Sequence, residues 1–169
     1  MSFNDQNVKL KSVPVWDLPV RLFHWSLVIL MIILWLTSQA NWLYDIDMHF
    51  YCGYAVLALL LFRILWGFAG SKHARFNDFV CGIRATFSYA HGLIKGQSIH
   101  CIGHNPLGSW SVILLLMALL VEAVTGLFAT DDIITDGPLR GWVVYETSRL
   151  LTTIHRVNFN WVLVTLIVL

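Results

Sequence analysis

The chain has 169 residues, 57% of them hydrophobic and 12% charged, with a formal net charge of +1. Soluble domains carry about 25% charged residues, so this composition, with a mean hydropathy of +0.68, excludes an ordinary water-soluble domain and reads as an all-α integral membrane protein. A charge balance this close to zero gives no basis for a nucleic-acid partner, and the lipid bilayer is the first partner implied.

Four apolar runs arrange residues 1–169 as a single transmembrane domain. The first covers about residues 19–39, "PVRLFHWSLVILMIILWLTSQ"; the second about 49–70; the third about 108–130; the fourth 153–169, "TIHRVNFNWVLVTLIVL". A span needs about 20 residues at 1.5 Å each. The first three runs meet this, and the pattern predicts a four-helix transmembrane bundle. The fourth supplies about 17 residues before the sequence stops, so further helix is expected beyond Leu169, a naturally short end being the alternative. The first run exceeds the 7–15 apolar residues of a signal-peptide core and is read as a helix.

Loop charge sets the orientation. Lys9, Lys11 and Arg21 precede or open the first run, and Lys72, Arg75, Arg84 and Lys95 lie between the second and third. The loop between the first two runs has Asp45 and Asp47 and no Lys or Arg. The positive-inside rule therefore places the N-terminus in the cytoplasm. Trp42, Tyr44, Trp110 and Trp142 fall near the expected interfaces, as aromatic belts do.

In the inner loop, Phe76, Phe79, Val80, Ile83 and Phe87 recur at helical spacing among basic residues. This predicts an amphipathic helix on the membrane surface, capped by Asn77 or Asp78. "GHNPLG" predicts entry to the third helix, with Asn105 as cap and Pro106 in the first turn. The outer loop, "DDIITDGPLRGWVVYETSRLLT", predicts a Gly-Pro turn and then a short helical pattern.

Seven histidines are present: His24, His49, His73, His91, His100, His104 and His155. His24, His49 and His155 sit at or inside apolar runs, where an ionisable residue is expensive and points to function. One such histidine is often only an interfacial hydrogen-bonding group; three on three helices weaken that reading. His49 and His155 are expected at one depth near the outer face, which suits two neutral imidazoles on a bis-histidine haem iron. Gly53, one turn after His49, would let a flat macrocycle approach the backbone, or would serve close helix packing. Cys52, Cys81 and Cys101 form no C-x-x-C-H, so a covalently attached haem is not encoded. His24 lies on the other side and needs its own partner, expected at or past Leu169, with His100 or His104 as the fallback.

"VWDLPVRLFHW", "GYAVLALLLFRILWGFAGSKHARFNDF", "GHNPLGSWSVILLLMALLVEAVTGLF" and "TIHRVNFNWVLVTLIVL" together resemble the prokaryotic membrane-bound di-haem b-type cytochromes, including the cytochrome b subunits of Ni,Fe-hydrogenases. The resemblance runs from about Val15 onward. It implies four helices holding two b haems by four histidines, with His49 and His155 on the outer haem and His24 on the inner one. The fourth ligand is not present in this sequence. It also implies a multi-pass protein of the bacterial inner membrane.

Within that frame Arg63 lies about 21 Å inward of His49 on nearly the same helical face, aimed either at an inner-haem propionate or at headgroups by snorkelling. Arg21 has the same two readings. Glu122, the one carboxylate deep in a run, would relay a proton to a quinone or pair with a polar neighbour. His104 would touch a quinone or simply precede the helix. Asp131, Asp132 and Asp136 would dock a basic periplasmic cytochrome or form a solvated loop.

The expected function is electron transfer through b haems between the membrane quinone pool and a periplasmic c-type cytochrome or another redox subunit, alone or in an oligomer. The alternatives are a haem-poor anchor subunit of a redox complex and haem-based oxidation of a small species such as superoxide. No nucleophile or general-base constellation marks a hydrolytic enzyme.

Overall fold

A computed structural model describes residues 17–39, 46–72, 74–96, 105–133 and 135–168. Among them the chain is helical: α1 Leu18–Gln39, α2 Ile46–Ala69, α3 Phe76–Phe79, α4 Ile83–Ile94, α5 Pro106–Gly126 and α6 Tyr145–Val168, with a 3-10 turn at Arg140–Trp142. α1 packs on α2, α2 on α5, and α5 on α6, while α4 lies against α5.

Each long helix buries a narrow stripe. α1 turns Phe23, Leu27 and Met31 inward at every fourth position, and α2 answers with Cys52, Val56 and Leu60. Leu119 of α5 and Val162 of α6 complete the core. The outward face of α1 is also apolar, with Leu22, Trp25, Ile29, Ile32 and Trp35 all exposed. In water such a face would drive aggregation; in lipid it is the expected surface. α1, α2 and α5 are long and apolar enough to cross a membrane, and they are the three such helices among the described residues. The first two thirds of α6 carry Glu146, Arg149, Arg156, Asn158 and Asn160, which lower its hydropathy.

Three expectations meet a different outcome. The inner-loop amphipathic pattern is two helices, α3 and α4, broken over residues 80–82. α3 has Arg75 at its N-cap with no side-chain cap, so neither Asn77 nor Asp78 caps it. Asp78 instead approaches Arg75 at 3.6 Å. α4 still exposes Ile83, Phe87 and Ile94 while burying Tyr89 and Gly92. The third long helix stops at Gly126 rather than near 130, because residues 127–139 fold back. Leu139 N–H donates to the Leu127 carbonyl at 2.9 Å and Gly137 N–H to the Ala129 carbonyl at 2.8 Å. The last helix starts at Tyr145, well before 153: the short helical pattern and the fourth run are one helix. No Gly or Pro interrupts residues 145–168. Ser148 donates to the Phe128 carbonyl at 2.7 Å, and Thr152 Oγ1 accepts from Thr130 N–H at 3.0 Å, tying the early turns of α6 to the loop. The entry to α5 is as expected, with Asn105 accepting from Gly108 N–H at 2.6 Å and Pro106 in the first turn.

Candidate functional site

The end of α1, the start of α2, the end of α5 and the middle of α6 converge on a cavity of about 540 Å³. That is within the range of small-molecule and cofactor sites, roughly 300–1,000 Å³. Met31, Leu34, Val56, Leu119 and Phe159 make its apolar wall.

His49 and His155 enter it from α2 and α6. Their ring centres are 6.5 Å apart, with the ring planes at 74°. His49 Nδ1 is 3.0 Å from Thr37 Oγ1. The Thr37 hydroxyl proton is directed to the Ile33 or Leu34 carbonyl, at 2.9 and 3.0 Å. Its oxygen therefore accepts, and His49 Nδ1–H donates. His155 Nδ1 is 2.9 Å from the Glu122 carbonyl oxygen, which can only accept. Both imidazoles are thus protonated on Nδ1, and both keep a bare Nε2 lone pair.

This is how metal-binding histidines are prepared: the far nitrogen donates to a carbonyl or hydroxyl, which sets tautomer and orientation. A metal–imidazole bond is about 2.0 Å, so two such bonds on opposite sides of one ion, with the half-width of each ring, put ring centres about 6 Å apart. The observed separation fits. No group of three or more His, Cys, Asp or Glu among the described residues could hold a metal ion. The pair therefore suits a metal that brings its other ligands with it, as haem iron does.

Glycines shape both walls. A Cβ on Gly126 would stand 2.9 Å from His155 Cε1, so the ring can lie where it does only against glycine. Gly53 has nothing within 4 Å of such a Cβ and lines the cavity, which favours the reading that it leaves space rather than packs a helix. Glu122 is buried. Its Oε2 accepts from Asn158 Nδ2 at 2.7 Å, and its Oε1 is 3.3 Å from His155 Nδ1. Asn158 Nδ2 also reaches the Ala118 carbonyl at 2.8 Å. The carboxylate thus has the polar neighbours that one of its two readings expects.

The other end is built differently. Asp17 Oδ1 accepts from Val20 N–H at 3.0 Å, capping α1. Its Oδ2 accepts from Trp66 Nε1 at 3.0 Å and from the Ser71 hydroxyl. Burial alone would raise the Asp17 carboxyl, but the Ser71, Val20 and Trp66 hydrogen bonds and the Arg63 charge outweigh it, and its pKa lies below the usual 3.8. Arg63 is buried; it donates to the Ala74 carbonyl at 3.3 Å and lies 5.1 Å from the Phe76 ring centre. Gly67 makes room for Phe76, since a Cβ there would collide with the ring. A headgroup-snorkelling Arg63 would be exposed, so that reading loses ground.

His24 is exposed and meets Trp25 edge-on at 5.8 Å. Among the described residues no second histidine faces it. Arg21 is exposed nearby. His73, His100 and His104 lie outside the described residues, as do Trp42 and Tyr44. Trp110 donates to the Cys81 carbonyl at 3.2 Å, and Trp142 is exposed. In the outer loop, Asp131 Oδ1 accepts from Ile133 and Thr135 N–H at 2.9 and 2.8 Å, and Asp132 is 3.7 Å from Arg149. Sequence reasoning misses Thr37, Gly126 and Asn158. Thr37, one of two hydroxyls closing the first apolar run, carries a faint signal, and Asn158, a polar residue one turn after His155, a stronger one.

Two imidazoles across a cofactor-sized cavity in a helical membrane protein are an arrangement that suits a haem-binding electron carrier. Residues 15–169 match the prokaryotic cytochrome b561 family, and the chain belongs to it. It is thus a transmembrane b-type cytochrome with a role in electron transport. The chain is similar to a probable Ni/Fe-hydrogenase B-type cytochrome subunit of Rhizobium leguminosarum bv. viciae, at 27% identity over 96% of this chain and 80% of that protein. It is also similar to proteins of the same description from Azotobacter chroococcum, at 26% identity over 95% and 79%, and from Bradyrhizobium diazoefficiens, at 25% over 92% and 75%. No solved structure gives a significant match.

Proposed function

We propose that His49 and His155 are the axial ligands of a b-type haem in the cavity at the outer end of a four-helix transmembrane bundle. The protein then passes electrons between the quinone pool and a redox partner on the periplasmic side. The observation that carries this is two imidazoles 6.5 Å apart on one cavity, each engaged through Nδ1 by a different helix so that Nε2 is left free. Bound haem supplies one-electron chemistry at iron.

The chain's own residues do the rest. Thr37 and the Glu122 carbonyl hold the two rings in the tautomer that leaves Nε2 free to bind metal. Gly126 lets the His155 ring lie against α5, and Gly53 leaves room beside His49. The apolar wall keeps water from the metal, one of the levers on haem potential.

Loop charge supports an inner-membrane protein with its N-terminus in the cytoplasm. The relatives' description supports a hydrogenase or a similar enzyme as the redox partner. His24 is proposed for a second haem at the inner end, whose other ligand no described residue supplies. The test is haem per polypeptide on the purified full chain, by pyridine haemochrome, beside His49→Ala and His155→Ala. Loss of about one b haem in each variant supports the assignment. Unchanged haem in both removes it.

A further inference from the structure

We propose that Arg156 is the anchor for a carboxylate arm of the haem. The proposal rests on the reading of those histidines as the axial pair. α6 presents Thr152, His155, Arg156, Phe159 and Asn160 to the cavity, so its wall spans about two helical turns. His155 lines the cavity beside Arg156 and Asn160, which are one turn apart on the same helix and both exposed. Among the described residues lining the cavity Arg156 is the only Lys or Arg, and Glu122 and Asp131 are the carboxylates.

The other arginines of the outer half make contacts within the protein, although Arg140 Nε is buried without a partner among the described residues. Arg149 approaches Asp132 at 3.7 Å, and Arg140 donates to the Val143 carbonyl at 3.1 Å. Arg156 has no ion pair or side-chain hydrogen bond among the described residues, and its side chain is exposed. A macrocycle carrying two carboxylates needs a cation where those arms reach the polar edge, and a guanidinium can take a carboxylate with paired hydrogen bonds. Asp131, in the loop that Thr152 and Ser148 tie to α6, adds a carboxylate to the lining, and a carboxylate offers a propionate no donor.

The test uses the full-length protein from haem-deficient cells, purified in detergent, with His24→Ala in every sample so that only the outer site is read. Haem b and its dimethyl ester, which lacks the carboxylate charge, are titrated into the Arg156 form and into Arg156→Gln. The expected result is a haem affinity weakened roughly ten- to a hundredfold by Arg156→Gln, as for loss of a charged hydrogen bond, with ester affinity unchanged. Arg156→Lys should recover part of the loss. Equal losses for haem and ester, or no loss with either, overturn the Arg156 assignment while leaving the histidine pair intact. If the Arg156 form itself gives no low-spin bis-imidazole spectrum with either compound, the histidine reading fails instead. Circular dichroism of each variant separates misfolding from lost binding, and should Arg156→Gln misfold, Arg156→Lys against both compounds decides the question by the same difference.

Discussion

The two ends of the helix packing hold similar residue types and use them in opposite ways. At the end proposed to face the cytoplasm, Asp17, Trp66 and Ser71 close on one another, and Arg63 is held by the Ala74 carbonyl and the Phe76 ring. The donors and acceptors there are spent on joining the start of α1 to the end of α2 and the chain beyond it. At the other end, proposed as the outer one, Thr37 and the Glu122 carbonyl each occupy one nitrogen of an imidazole that lines a cavity and leave the other nitrogen free. Polar groups satisfied by each other are fold; polar groups oriented by others toward space are site. The contrast predicts that damage at the outer end removes cofactor with little loss of fold, and damage at the inner end does the reverse.

The sharpest way to break that contrast is His155→Ala. We expect the outer b haem to be lost, with helix content by circular dichroism unchanged, since the ring is an edge of the cavity and not of the Phe23–Leu60–Leu119 core. Next comes Gly126→Ala. The added methyl would meet His155 Cε1 at 2.9 Å and displace the ring. A misfit of that size weakens haem binding about tenfold. Gly126 is the last residue of α5, so the helix itself should gain only a few tenths of a kcal/mol, roughly, from alanine. Haem affinity down and thermal stability level or up is the split outcome expected; a parallel fall in both would mean that Gly126 serves only packing.

Much of the outer site is legible in the sequence, and the reasons differ residue by residue. His49 and His155 stand out because a histidine in an apolar run has few cheap explanations. Their meeting follows from depth alone, which holds although α6 starts well before the expected position. Gly126 is not legible: in an apolar helix a glycine that admits an aromatic ring looks the same as one that admits a neighbouring backbone. Thr37 is hidden for a related reason, since a hydroxyl in a membrane helix usually bonds its own backbone, as Thr37 also does. The inner-loop pattern reads as one helix because its apolar spacing continues across residues 80–82, and side-chain periodicity does not register a backbone that turns extended at Val80 and Gly82. The depth of Arg63 can be read from its spacing to His49, but its partners come from the loop after α2, whose path no periodicity encodes.

Asp17→Asn probes the inner end, with a smaller expected effect of about 1 kcal/mol on stability, typical of one exchanged hydrogen-bonded group. The folded pKa of Asp17 is depressed, so the carboxylate stabilises the fold fully above its ordinary value of 3.8, and that contribution is lost as pH falls through the lower folded value. In thermal unfolding, the gap between the unaltered protein and Asp17→Asn should therefore be constant from about pH 5 upward and close in stronger acid. Haem content should not change. If it falls with Asp17→Asn, the two ends are coupled and the contrast between them is weaker than the geometry suggests.

The smallest effect is expected at the outer loop, and it bears on how a partner docks. Asp132 and Arg149 approach at 3.7 Å with side chains 39% and 63% exposed. Such a pair contributes at most about 0.5 kcal/mol and is screened by salt. Asp131 has its Oδ1 committed to the Ile133 and Thr135 amides and holds the loop's shape. Asp132→Asn should thus leave stability and haem unchanged. If the acidic loop is a docking surface for a basic partner, the same change lowers the rate of electron exchange at low salt, and the difference vanishes as ionic strength rises. An exchange rate equal to that of the unaltered protein at every salt concentration would mean that Asp132 serves the loop alone, and that the partner reads another part of the outer surface.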